Sequence, residues 1–159
     1  MKENMNYSQA AATYQSAKTN VQKTRQVVLL YDAVIRFLQQ AKTAIEEKQF
    51  EERFNLLQKS SNIIMGLNSA LDFESGGEIS QMLSNFYNAM DLRIQTLNRS
   101  NNTSDLERII REVKTMRDAW DQIDTQELAQ KAAEAPVEIM PPKIEEPVKE
   151  PITGSDFSA

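Results

Sequence analysis

The sequence predicts an all-α protein: an antiparallel up-down four-helix bundle with a mobile N-terminal segment and a disordered acidic C-terminal tail. Three observations carry this expectation. All five prolines lie at or beyond Pro136, so everything before them is free to form long helices. Four stretches of about 20–28 residues repeat apolar side chains at i, i+3, i+4 and i+7, the period of a helix face. Gly76-Gly77 and the polar run NRSNNT from Asn98 to Thr103 separate the later stretches with turn chemistry. The expected division is a mobile segment over 1–20, the bundle over 21–135 and the tail over 136–159.

Residues 1–20 are polar and alanine-rich, with Tyr7, Tyr14 and Val21 at helical spacing. That stripe suits a groove but is too weak to hold a helix alone in water. The first bundle helix is expected from about Val21 to Lys48, with Val27, Leu30, Tyr31, Val34, Phe37, Leu38, Ala41 and Ile45 on its main face. The second is expected from Phe50 to about Asp72, carrying Phe54, Leu56, Leu57, Ile63, Ile64, Leu67 and Leu71, with Gly76-Gly77 as the break. The third runs from about Glu78 to Arg99 with Ile79, Met82, Leu83, Phe86, Tyr87, Met90, Ile94 and Leu97 inward. Ser104-Asp105-Leu106-Glu107 matches a capping box, so the fourth should start there, with Leu106, Ile109, Ile110, Val113, Met116, Trp120 and Ile123 as its stripe. Pro136 ends the helical pattern. The remainder is rich in Pro and Glu, has no period, and cannot by itself bury enough apolar area to offset ordering.

Composition excludes several functions. The chain has neither histidine nor cysteine, so it has no imidazole base, no thiolate and no histidine-based metal site. Its carboxylates lie on polar helix strips, as Glu107 does beside Arg111, and four glycines make no phosphate-cradling loop. No catalytic residue, metal or cofactor is therefore expected. The longest apolar run, Val27 to Tyr31, is far short of the roughly 20 residues a membrane span needs. No apolar leader follows Met1, so the expected location is the cytoplasm. From Asp124 onward eight carboxylates face three lysines, while residues 1–123 balance fifteen acidic against fifteen basic groups. A neutral body with an acidic tail is a poor nucleic-acid binder.

The first two helices carry apolar arcs of about 220°, against about 140–160° for the last two, where one bundle seam needs little over 100°. Val28, Ile35, Leu56 and Ile63 are the candidates for surface left over to receive a partner. The competing explanation is that these two helices are simply more central.

Several motifs in order resemble the FliS family of flagellar secretion chaperones. Leu30-Tyr31-Asp32-Ala33, Phe37-Leu38 and Ala41 are similar to its first helix. Ile63-Ile64, Leu67, Leu71-Asp72-Phe73-Glu74 and Gly76-Gly77-Glu78-Ile79 follow its second helix and turn. Leu83, Tyr87 and Met90 resemble its third helix, and Arg117-Asp118-Ala119-Trp120 the end of its last. The resemblance covers about residues 14–123, although the Ser-Pro that commonly opens the first helix is replaced by Val21-Gln22-Lys23-Thr24 and the usual Gly by Ala33.

The resemblance implies a cytoplasmic chaperone that binds the C-terminal helices of flagellin, stops them polymerising, and passes them to the type III export apparatus. It also implies that the N-terminal segment, through Tyr14, lies over part of the binding groove. The expected partner-binding set is Tyr7, Tyr14, Val28, Tyr31, Ile35, Leu56 and Ile63. The alternative is a self-associating bundle, a homodimer through the leftover arc, serving as a structural adaptor.

Overall fold

A computed structural model describes residues 7–134, with side chains over 23–130. Four helices account for nearly all of it: α1 (Tyr7–Glu46), α2 (Phe50–Ser69), α3 (Phe73–Ser100) and α4 (Thr103–Glu134). The fold class is as expected, with no strand among the described residues. The expected tail lies outside them.

Three boundaries differ from the sequence reading, each for a local reason. α1 does not start near Val21 but runs unbroken from Tyr7, 40 residues in all and about 60 Å long. Ala10, Ala11, Ala12 and Ala17 are the strongest helix formers, and the chain has no reason to break between them and the bundle. The break between α2 and α3 is at Ala70-Leu71-Asp72, not at Gly76-Gly77. Asp72 is extended (φ −99°, ψ 104°) and its carboxylate accepts the amides of Glu74 and Ser75, a full N-cap that opens α3 early. Gly77 then kinks α3 from within, at φ 49°, ψ −123°. Gly76 is packed so tightly that a Cβ there would sit 1.9 Å from Ser80 Oγ, which itself donates to the Asp72 carbonyl at 2.7 Å. For α4 the cap is Asn102, whose Oδ1 accepts the Asp105 amide at 3.1 Å. The Ser104 capping box does not form, and Glu107 turns instead to Lys42 at 2.6 Å.

The short turn between α1 and α2 closes with Gln49 N–H donating to Ala44 O and Lys48 N–H to Ile45 O, the two bonds of a left-handed helix stop. Lys48 holds φ 58° there without being glycine. Asn101 takes the same conformation (φ 48°) after α3, where its short amide side chain tolerates it.

The helices lie in the order α4–α1–α2–α3. α1 packs along both α4 and α2, α2 along both α1 and α3, while α3 and α4 scarcely meet. An antiparallel ladder ties α1 to α4: Lys42–Glu107 (2.6 Å), Asp32–Arg117 (2.8 Å) and Arg25–Asp121 (3.4 Å), with Thr24 Oγ1 donating to Glu127 at 3.2 Å. Asn68 donates to Asn88 at 3.0 Å between α2 and α3. The core consists of Tyr31, Val34, Leu38 and Ala41 from α1, Leu57 and Ile64 from α2, Tyr87, Ile94 and Leu97 from α3, and Leu106, Ile109 and Val113 from α4, all within 1% of complete burial. Each large apolar side chain contributes about 1.5–3 kcal/mol on leaving water.

One polar link crosses that core. Tyr31 Oη and Tyr87 Oη bond at 2.8 Å, so α1 and α3 are joined by a buried pair of hydroxyls. Burial pushes both phenol pKa values up, and for Tyr31 the neighbouring Tyr87 pushes further.

Candidate functional site

The structure redistributes the apolar surface the sequence assigned to a partner. Val28 and Tyr31 are fully buried, Leu56 and Ile35 nearly so, and Ile63 is half-buried against the core. The expectation that Val28, Ile35 and Leu56 are surplus is therefore corrected: they are the side chains that let α1 and α2 serve two neighbours each. Wide arcs here mark central helices. Tyr7 and Tyr14 fall on the first turns of α1, and their side chains lie outside the described residues. The N-terminal segment continues the α1 axis as helix and does not turn back across a groove at any residue from Tyr7 onward.

The surplus lies where α3 and α4 diverge. At the end next to their connecting loop the two are held by Arg93, whose guanidinium donates to Glu112 (2.7 Å) and Asp105 (3.0 Å). Burial works against the Arg93 charge, but the bonds to Glu112 and Asp105 outweigh it and raise the pKa. Beyond this clamp a groove of about 360 Å³ opens, lined by Phe86, Glu112, Thr115, Met116 and Ala119. Of these, Phe86 and Met116 also pack partly into the core and form the floor of the groove.

Its walls extend along the helices. Ile79, Met82 and Phe86 stand at i, i+3 and i+7 on α3, a single stripe on the flank that also carries Arg93. Met116, Ala119 and Ile123 repeat that spacing on α4, on the flank that carries Glu112. Ile79 is 65% exposed, Met82 62% and Ile123 43%. Such values are unusual for side chains that continue a core seam, and they mark a stretch of it that none of the other described residues covers. The sequence reading placed five of these six residues, all but Ala119, in a closed core, because nothing in a single stripe tells which neighbour, if any, covers it.

Other exposed apolar side chains are less organised. Leu29 and Leu30 sit on α1, and Phe50 and Phe54 begin α2, where Arg53 stacks over Phe50 at 5.2 Å. A second hollow against Gln49, Phe50, Glu51, Glu52 and Asn55 is mainly polar. Among the described residues no group of carboxylates is placed to hold a metal ion, and no helix is long and apolar enough to cross a membrane.

Comparison with known proteins gives this arrangement a family. The model of the family "Flagellar protein FliS" matches residues 5–127. The flagellar secretion chaperone FliSB of Pseudomonas aeruginosa is 34% identical over 123 residues, which cover 77% of this chain and 96% of that protein. The corresponding FliS of Campylobacter jejuni is 26% identical over 128 residues, 80% of this chain and 97% of its own length. That of Salmonella typhimurium is 30% identical over 115 residues, covering 72% and 85%. With four helices in one bundle and a family match from the first turns of α1 to near the end of α4, the chain belongs to the FliS family of flagellar secretion chaperones.

Proposed function

We propose that this chaperone binds the C-terminal helical region of flagellin, keeps it from polymerising in the cytoplasm, and hands it to the type III export apparatus. The observation that carries this reading is the apolar groove between α3 and α4. A helix laid there would meet Ile79, Met82 and Phe86 on one side and Met116, Ala119 and Ile123 on the other. This is the arrangement by which amphipathic helices are held in grooves, with recognition through apolar anchors more than through charge. The balanced charge of residues 1–123 accords with it. The action needed is burial of a sticky surface, which asks for no catalytic group.

Calorimetric titration with the C-terminal helical fragment of the host's flagellin tests the reading. A saturable 1:1 isotherm is expected, with a negative heat-capacity change from apolar burial. No binding by the full chain would overturn it. The competing use of the same groove is a homodimer, and light scattering separates the two. A dimer that persists when the fragment is added would favour the self-associating adaptor.

A further inference from the structure

We propose that residues 137–144 of this same chain, VEIMPPKI, dock in the α3/α4 groove and act there as a tethered competitor of the partner. The second half of this statement rests on the groove being the partner site; the first half does not.

The register supports it. α4 ends at Glu134 on the side where the groove is open, and Pro136 forbids its continuation. Ala135, standing before a proline, is biased to extended backbone, which reverses the chain more readily than it prolongs the helix. The rise of α4 from Ile123 to Glu134 is about 16 Å, and from Met116 about 27 Å. An extended chain covers about 3.3 Å per residue, so roughly five residues return to the level of Ile123 and roughly eight to that of Met116. Counted from Ala135, five residues on is Met140, beside Ile139, and eight on is Lys143, beside Ile144, so the aliphatic residues of the segment fall within one residue of both levels. Between them Pro141-Pro142 arrives at the level of Ala119, the smallest side chain of the wall. A Pro-Pro pair is already extended and loses little conformational freedom on docking.

Such a segment has no core of its own, yet it can use one half-built by α3 and α4. A short tether holds it at about millimolar effective concentration, so an intrinsic dissociation constant near 1 mM fills the groove about half the time. The partner's apparent affinity then falls by about twofold.

The sequence holds no cysteine, so a nitroxide can be placed on the full-length protein through Thr115→Cys at the exposed groove rim. Amide signals of residues 139–144 should broaden more than those of 153–159. The broadening should vanish in the full chain carrying Ile139→Asp, Met140→Asp and Ile144→Asp, which lie beyond the bundle. Equal or absent broadening in the unsubstituted tail overturns the docking. Broadening seen only between a nitroxide-bearing chain and a separate isotope-labelled chain assigns the groove to a second copy's tail, which overturns it too. In titrations with the flagellin fragment, the tail variant should bind about twofold tighter. Equal affinity removes the competitor role, and failure of both proteins to bind counts against the groove's proposed partner while leaving the nitroxide result to decide the docking.

Discussion

Val28→Glu and Met82→Glu place the same carboxylate on two sides of one question: which apolar surface of this bundle is spare. Val28 is completely buried between α1 and its neighbours, so its replacement loses about 1.5–3 kcal/mol of apolar burial and forces a charge or a protonated acid into the core. Together these cost about 5 kcal/mol, a large part of the roughly 5–15 kcal/mol that holds a domain of this size. At about 3–5 °C per kcal/mol the midpoint should fall by roughly 15–25 °C. Met82, at 62% exposed, should tolerate glutamate within about 0.5 kcal/mol of stability. In the complex, however, the glutamate would have to be desolvated against an apolar partner, and loss of the methionine contact adds to that. Binding of the flagellin fragment should weaken by roughly 100-fold, equivalent to about 2.7 kcal/mol. Far-UV circular dichroism melts and calorimetric titration of both variants give the two readouts. A Val28→Glu protein melting within a few degrees of the native one would refute the assignment of Val28 to the core. A Met82→Glu protein that binds normally would refute the groove.

The buried hydroxyl pair makes a second prediction: Tyr31→Phe or Tyr87→Phe leaves the other phenol buried without its partner, and each should cost about 1–3 kcal/mol in chemical denaturation. Because burial raises both phenol pKa values, two of the four tyrosines should fail to ionise in an alkaline absorbance titration until the bundle unfolds. At the head of α3, the Ser75 and Glu74 amides hold the Asp72 carboxyl below its ordinary 3.8. Its stabilisation is therefore present above 3.8 and lost as pH falls through the native value. Asp72→Ala should melt lower than the native protein at pH 7, and the gap should close in acid. Asp124 is buried with Oδ1 unpartnered and Oδ2 3.8 Å from Arg25, so Asp124→Leu should raise the thermal midpoint, since Arg25 keeps Asp121.

The four helices were legible because each carries a stripe that no strand period can imitate, and no proline interrupts the chain before Pro136. The boundaries failed where a stronger local signal was hidden in an ordinary residue. Asp72 caps α3 ahead of the two glycines, and Asn102 caps α4 two residues ahead of Ser104, which already lies inside the helix. The site failed for a different reason. Arc width reports how many neighbours a helix has, and Val28, Ile35 and Leu56 widened their arcs by having two. Ile79, Met82 and Ile123 continue stripes that are buried lower down, so only the divergence of α3 from α4, a property of the whole bundle, distinguishes them from core.

The pairing of α1 with α4 has a consequence for how the chain is made. These helices are the first and last to be synthesised, and their ladder joins residues as far apart as Asp32 and Arg117, 85 positions along the sequence. During elongation α1, α2 and α3 can assemble while the flank of α1 that holds Val28 and Ile35 still has nothing to lie against. That flank stays wet until the part of α4 from Arg117 to Glu127 has emerged, so a ribosome-tethered protein stopped before Thr103 should be a substrate for general chaperones, and the arrival of α4 is the event that releases it.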